Sequence, residues 1–233
     1  MHLFFEIAGY LAGAALYVRQ RGGDPIPPAT RASVLTGAAL GAAIGARLLF
    51  FLSFPHDGLI GKTVVGGLLG GLIGVEIAKK VKGITRSTGD RFVDPLIAAM
   101  AIGRIGCFLA GPIDRTAGNP TSLPWAIAMG DSIPRHPVAL YEIAFLILLR
   151  LALARVTREG DRFRWFLASY LAFRLTVDFL KPDPPPLALG LSAIQWACAA
   201  GLIYYALVLS HDDRHASLPF LRRRRLDLRD VLP

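Results

Sequence analysis

The sequence predicts an all-α, polytopic integral membrane protein of about seven transmembrane helices, with its N-terminus outside and its C-terminus in the cytoplasm. Composition and hydropathy pattern support this class. The 233-residue chain is 53% hydrophobic and only 18% charged, whereas a soluble domain carries about 25% charged residues. The apolar residues also gather in seven runs separated by polar connections. This pattern excludes an ordinary soluble enzyme, a disordered chain and a coiled coil.

The seven apolar runs are the predicted spans. A helix needs about 20 residues to cross a hydrocarbon core of about 30 Å, so we expect the shorter first and fourth runs to tilt or to cross incompletely. The runs lack the alternation that a membrane β-barrel requires. In chain order the predicted spans are residues 3–18, 32–54, 61–78, 95–111, 137–154, 165–180 and 188–210.

The basic residues orient these helices. Of the 26 lysines and arginines, 18 fall in alternate connections and in the tail. Those connections are residues 19–31, 79–92 and 155–164. Because basic loops stay on the cytoplasmic side, the chain is predicted to form one transmembrane domain, residues 1–210, with an external loop at 112–136 and a basic cytoplasmic tail at 211–233.

The net charge of +9 is explained by this topology. The basic run at residues 222–225 is expected to meet anionic lipid headgroups. No nucleic-acid recognition motif accompanies the charge, so membrane lipids, and no nucleic acid, are the predicted partners. Cys107 and Cys198 both lie in apolar runs, which indicates neither a disulfide framework nor a metal site.

Arg104 lies inside the fourth predicted span, between Gly103 and Gly106. A charged side chain within a span is costly and by default indicates function. The flanking glycines let a backbone or a ligand approach the guanidinium closely. Three other charges lie near span ends, where they are expected to pair or to reach the headgroups: Glu6, Arg47 and Glu76.

The sixth predicted span carries a polar stripe. Tyr170, Arg174 and Asp178 are spaced four residues apart, which places them on one helix face. Such a stripe must face the bundle interior or a wet cavity. Two interpretations remain open. Arg174 and Asp178 form a pair that only locks helices together, or Arg104 and Arg174 converge on a phosphate, for which the guanidinium fork is well suited.

The loop before the fifth span leads into residues 135–142, RHPVALYE. Pro137 suits the first turn of a helix, so His136 is predicted at the outer water–lipid boundary, with Tyr141 and Glu142 one turn below. A boundary histidine is often merely solvated. A histidine beside a carboxylate and a phenol is also a candidate for acid–base chemistry.

Three sequence blocks resemble the bacterial prolipoprotein diacylglyceryl transferase family. Residues 103–108, GRIGCF, are similar to the family's GRxGNF signature, and residues 135–142 are similar to its RHPxxLYE block. Residues 173–183 are similar to its RF…EF…RxPD block, and residues 61–74 more weakly to its HGGLIG segment. Together the blocks span roughly residues 61–195, in the family's order.

The resemblance implies an enzyme of the bacterial cytoplasmic (inner) membrane that needs no cofactor and no metal. Its substrates would be phosphatidylglycerol and the lipobox peptide of a prolipoprotein, whose cysteine thiol receives the diacylglyceryl group as glycerol phosphate leaves. Arg104 and Arg174 match the family's phosphate-contacting arginines, Tyr170 a functional tyrosine, and Asp178 a glutamate. The predicted catalytic residues are His136, Tyr170 and Glu142, which match the family's blocks, together with Asp114. The implied substrate-binding residues are Arg104, Arg174, Tyr141, Asp178, Gly103 and Gly106.

Three positions depart from the family's pattern. Val65 replaces a histidine, Cys107 the signature asparagine, and Pro112 an acidic residue. We expect Asp114 to supply the missing acid and His136 the missing base. The alternative is a catalytically divergent phospholipid-binding membrane protein, or a transferase with another acceptor.

The topology is testable by thiol labelling in intact cells. Because the tail is predicted to be cytoplasmic and the 112–136 loop external, an impermeant maleimide should label Thr121→Cys and spare Ser217→Cys. Permeabilised cells should show labelling of both variants. Labelling of Ser217→Cys in intact cells would reverse the predicted orientation.

Overall fold

The computed structural model describes residues 2–20, 27–58, 61–114, 116–130, 132–182 and 184–216, without the side chains of 113, 114 and 208–216. This part of the chain forms seven long α-helices, one at each predicted span, which confirms the all-α prediction. The helices are α1 His2–Gln20, α2 Pro28–Ser53, α3 Val64–Val81, α4 Val93–Ala110, α5 Val138–Leu153, α6 Asp161–Val177 and α7 Ala193–Ala216. Residues 217–233 of the predicted basic tail, and the side chain of Asp114, lie outside the described residues.

Two described segments are long and apolar enough to cross a membrane, Pro28–Ser53 and Gly89–Ala110, and Ala193–Leu207 is a shorter apolar helix. The other helices carry large apolar side chains on the surface of the bundle, such as Phe4 and Leu148, which are 70% and 65% exposed. Extended apolar surface of this kind is typical of a lipid-facing protein. The count of seven spans and their orientation stay predictions.

Glycines bring the backbones of α2 and α3 into contact. A Cβ atom added to Gly41 would lie 2.2 Å from the carbonyl oxygen of Gly70, which real structures do not allow. The same antiparallel pairing occurs one turn to each side, between Gly37 and Gly74 and between Gly45 and Gly66. Small residues spaced four apart are a common solution for helix packing in membranes.

Helix α6 packs against α4, α5 and α7. Phe166, Leu167, Tyr170 and Leu171 are all fully buried, and Phe173 stacks on Phe145 of α5 at 4.2 Å between ring centroids. The polar stripe of α6 therefore faces protein, as the sequence pattern requires.

One carboxylate joins four helices at the basic end of the bundle, where the connections 79–92 and 155–164 lie. Asp94 accepts hydrogen bonds from Arg162 at 2.9 and 3.0 Å, from Arg150 at 3.1 Å and from Gln20 at 3.3 Å. These donors belong to α6, α5 and α1. The nearby Asp90 accepts from the backbone amide of Phe163 at 2.9 Å, which helps α6 to begin at Asp161, four residues before the predicted start.

The start of α7 differs from the prediction by five residues. Residues 188–191 form a turn in which Leu189 and Gly190 have φ of 52° and 73°. Ser192 and Gln195 then cap the helix reciprocally, each side chain accepting from the other's backbone amide at 2.9 and 3.2 Å. This Ser-x-x-Gln capping box sets the first helical residue at Ala193, and hydropathy alone does not detect it.

The glycine contact predicts a position-specific effect on stability. Gly70→Ala should destabilise the protein by about 1–3 kcal/mol, the usual cost of overpacking, and lower the thermal unfolding midpoint in detergent. Gly71→Ala is the matched control, because its Cβ would lie 3.5 Å or more from its neighbours. Equal midpoints for the two variants would contradict backbone contact along this pair of helices.

Candidate active site

Glu142, on α5, is the centre of a buried polar network. Its side chain is 1% exposed, and its Oε1 atom lies 2.8 Å from Nε of Arg104 on α4. Oε1 also accepts a 2.8 Å hydrogen bond from the hydroxyl of Tyr170, while Oε2 accepts from Nη1 of Arg174 at 3.3 Å. A buried charge is tolerated only when it is paired and hydrogen-bonded. Both oxygens of Glu142 meet this requirement, and α4, α5 and α6 are joined as a result.

Arg174 extends this network to Asp178. Its Nη2 atom donates a 2.6 Å hydrogen bond to Oδ1 of Asp178, so the helix-locking pair considered from the sequence is present. The same guanidinium also binds Glu142, and it is therefore more than a local pair. Among the described residues, Nε of Arg174 and Oδ2 of Asp178 are buried without a hydrogen-bond partner. We call these five residues the Glu142 network: Arg104, Glu142, Tyr170, Arg174 and Asp178.

Arg104 is the most accessible cation of the network. Its side chain is 11% exposed, against 6% for Arg174 and 1% for Glu142. A Cβ atom at the neighbouring Gly103 would have no atom of the described residues within 4 Å, whereas one at Gly106 would lie 2.8 Å from Cβ of Phe5. Gly103 thus leaves open space beside Arg104, and Gly106 allows α1 to pack on α4.

His2 reaches the same region, which the sequence did not suggest. Its Nε2 atom lies 3.6 Å from Sγ of Cys107, and that sulfur lies 3.6 Å from Nη1 of Arg104. The contact depends on the packing of α1 against α4 and leaves no local sequence signal. Val65, which stands where the family has a histidine, is 2% exposed and part of the apolar core.

The second polar group is the His136 cluster, formed by His136, Tyr141 and Trp125. Nδ1 of His136 lies 3.3 Å from the hydroxyl of Tyr141, which also accepts a 2.7 Å hydrogen bond from Nε1 of Trp125. We expected Tyr141 and Glu142 to lie together below His136. Successive helix residues point about 100° apart, so Tyr141 contacts His136 while Glu142 turns into the bundle.

The loop between α4 and α5 is tied to the end of α6. Within it, β1 Ile127–Ala128 pairs antiparallel with β2 Pro134–Arg135. The backbone amide of Asn119 donates a 2.7 Å hydrogen bond to the carbonyl of Leu180, and its side chain donates to the carbonyl of Phe179 at 3.4 Å. These bonds hold the loop beside the 3₁₀ turn Asp178–Leu180.

Lys181 follows this turn and adds a titratable cation that the sequence analysis did not single out. Burial, together with the nearby guanidiniums of Arg174 and Arg104, lowers the pKa of Lys181 from 10.5 to about 7. A bound anion stabilises the protonated form of a lysine. Lys181 is therefore a cation that an anionic group can recruit at neutral pH. Within the described residues, no cluster of three or more histidine, cysteine, aspartate or glutamate side chains could hold a metal ion.

Comparison with known proteins relates this site to a family. A family model described as prolipoprotein diacylglyceryl transferase matches residues 4–210. The chain belongs to the prolipoprotein diacylglyceryl transferase family. Membership in this family of membrane-embedded transferases confirms the resemblance found in the three sequence blocks.

Curated relatives within this family are similar in sequence to this protein over most of the chain. A relative from Methylobacillus flagellatus is 34% identical over 178 residues, 70% of this chain and 67% of the relative. One from Methylococcus capsulatus is 34% identical over 214 residues, 82% and 79% of the two chains. One from Bordetella avium is 30% identical over 201 residues, 78% and 75%. All three are named phosphatidylglycerol–prolipoprotein diacylglyceryl transferase.

Lys181 makes stability depend on pH in a defined direction. The folded protein binds this proton less tightly than the unfolded chain, so stability rises as the pH increases from about 7 to 10. Lys181→Met removes this dependence. Its thermal unfolding midpoint relative to wild type should be highest below pH 7 and should decrease toward pH 10.

A matched control for this measurement is Lys82→Met, an exposed lysine at the basic end. Its midpoint should follow that of the wild type across the same pH range. The difference in thermal unfolding midpoint between the wild type and Lys181→Met should change with pH. A constant difference would contradict the lowered pKa of Lys181.

Proposed function

We propose that this protein is a phosphatidylglycerol-dependent diacylglyceryl transferase that acts on the lipobox cysteine of prolipoproteins. The names of the relatives support the reaction and its two substrates. The structural observation that supports it most directly is the Glu142 network, in which arginines from two different helices meet at one buried carboxylate. A helix-packing role alone does not require a second buried arginine from α4.

The reaction needs positive charge at the phosphate that departs. The thiolate forms a carbon–sulfur bond at the glycerol carbon while the carbon–oxygen bond to phosphate breaks. The electron pair leaves on the phosphate oxygen, and glycerol phosphate is released. Cations fixed in a dry site stabilise this developing charge. Arg104 lies at the accessible edge of the network, Arg174 has a free buried Nε atom among the described residues, and Lys181 supplies a third cation.

The carboxylates act mainly by orienting these cations. Both oxygens of Glu142 already accept hydrogen bonds or contact a guanidinium, so it is poorly suited to take a proton from a thiol. Tyr170 and Asp178 hold Glu142 and Arg174 in place. Guanidiniums fixed in this way lose less conformational entropy when they bind a phosphate.

The proton of the acceptor thiol needs a base, and we assign this role to His136. In the tautomer whose Nδ1–H donates to the hydroxyl oxygen of Tyr141, Nε2 has a free lone pair that can accept the proton of a thiol. The hydroxyl of Tyr141 orients the ring, and the hydrogen bond that it accepts from Trp125 holds this hydroxyl in place. Asp114 remains the proposed acidic partner, on the strength of the sequence alone.

We further propose a bacterial cytoplasmic-membrane protein with seven spans and an external N-terminus. The distribution of basic residues supports this orientation. It puts the loop at residues 112–136, with the His136 cluster, on the side at which an exported prolipoprotein presents its lipobox. The transmembrane domain is then residues 1–210 and the basic cytoplasmic tail residues 211–233.

A second candidate is a transferase that uses the same lipid with a different acceptor. It is favoured by Val65, which is apolar and buried where the family has a histidine, and by Cys107 in the signature block. Release of glycerol phosphate from phosphatidylglycerol only when a lipobox peptide is present would support the prolipoprotein reaction. Complementation of a cell depleted of its own prolipoprotein diacylglyceryl transferase tests the same point in vivo.

The paired arginines predict the effect of two conservative substitutions. Arg104→Lys and Arg174→Lys keep the charge but lose the bidentate fork. A hydrogen bond to a charged group contributes about 1.5–3 kcal/mol, so each variant should transfer the labelled diacylglyceryl group about tenfold more slowly or worse.

Arg158→Lys is the control, because its side chain is 66% exposed and lies at the basic end; it should retain activity. Thermal unfolding in detergent separates a folding defect from a catalytic one. Transfer close to the wild-type rate by both buried-arginine variants would contradict the phosphate-binding role and leave Arg174 as a helix-locking residue.

A further inference from the structure

An apolar groove runs between α3 and α7 toward the basic end of the bundle. It has a volume of about 870 Å³, within the range of about 300–1,000 Å³ typical of small-molecule sites. Its walls are formed by Leu69, Leu72 and Ile73 of α3 and by Ala197, Ala200 and Gly201 of α7. We call this feature the α3/α7 groove.

The mouth of the α3/α7 groove is polar and carries an excess of positive charge. Lys79 is buried, and its Nζ atom binds both carboxylate oxygens of Glu76 at 2.8 and 3.1 Å. Lys80 also lines the mouth and is exposed. Among the described residues, no carboxylate lies within ion-pair distance of Lys80. Thr85 and Tyr204 also line the groove.

This distribution of charge selects between kinds of lipid headgroup. A phosphate at the mouth meets the ammonium of Lys80, which has no carboxylate partner among the described residues. The ammonium of a zwitterionic headgroup meets only Glu76, whose carboxylate is already bound to Lys79. Basic pockets between transmembrane helices are known to favour anionic lipids. Exposed tyrosines such as Tyr204, which is 53% exposed, are also typical of the membrane–water boundary.

We propose that the α3/α7 groove binds an anionic phospholipid, with an acyl chain along its apolar walls and the phosphate at Lys80. Arg104 lies near the C-terminal end of α4 and Lys80 near the C-terminal end of α3. Asp94, at the start of α4, joins the helices at the basic end, so Arg104 and Lys80 lie toward opposite ends of the bundle. The bound lipid fills the space between α3 and α7 and does not serve as the donor. This site is independent of the proposed transferase reaction.

Photo-crosslinking tests this site directly. The purified full-length protein is placed in phosphatidylcholine vesicles that contain a phosphatidylglycerol analogue with a diazirine in one acyl chain. Mass spectrometry should find crosslinks to the wall segments, residues 69–77 and 197–204. A phosphatidylcholine analogue with the same diazirine should give about fivefold less crosslinking there, because one lysine near the membrane surface contributes about that preference.

Two variants test the mouth and the wall of the α3/α7 groove. Lys80→Gln should reduce crosslinking of the anionic analogue about fivefold, and Ala200→Trp should abolish it for both analogues by filling the groove. Lys82→Gln makes the same change of charge two residues away and should behave as wild type. Thermal unfolding of each variant in detergent verifies that it is folded.

Three results would overturn the proposal. They are equal crosslinking by the two analogues, an unchanged signal in Lys80→Gln, and a wall signal that appears only after residues 217–233 are removed, which would make the tail the occupant. If Arg104→Lys loses transfer activity but still crosslinks at the groove walls, then the active site and the α3/α7 groove are independent of each other.

Discussion

The buried carboxylate of Glu142 is the interaction on which the arrangement of the bundle depends. It lies between α4 and α6 and neutralises cations from both helices. Removing one partner of a buried ion pair costs about 3–5 kcal/mol, because the other charge is left without compensation. Glu142 therefore fixes the three helices relative to each other and also sets the directions of the two guanidiniums. The contacts that order the three helices thus also fix the two guanidiniums that we propose to bind the phosphate.

The carboxylate of Asp94 joins helices in the same way at the opposite end of the bundle. Asp94 collects donors from α1, α5 and α6, while glycine contacts hold α2 against α3. The bundle thus consists of a polar-linked group of helices and a backbone-packed pair. The apolar α3/α7 groove lies where α3 of that pair meets α7.

Much of this arrangement follows from sequence because the membrane imposes simple rules. Apolar run length predicts the helices, and the four-residue spacing of Tyr170, Arg174 and Asp178 predicts a polar face. What the sequence could not supply are contacts between distant positions. His2 and Cys107 are 105 residues apart, and Arg104 is joined to α5 only through the packed fold. The different directions of Tyr141 and Glu142 on α5 follow from helix geometry and are predictable from sequence.

The hydrogen bond from Asn119 to Leu180 has a consequence for the dynamics of the protein. Loop amides normally exchange with solvent through small local openings, whereas amides in a packed core exchange only when a larger unit opens. This amide is in a loop by sequence, but its acceptor belongs to the turn that carries Asp178. The loop and the end of α6 consequently form one cooperative unit, which opens and closes together. The loop that ends at His136 and the turn that carries Asp178 thus share one free energy of opening.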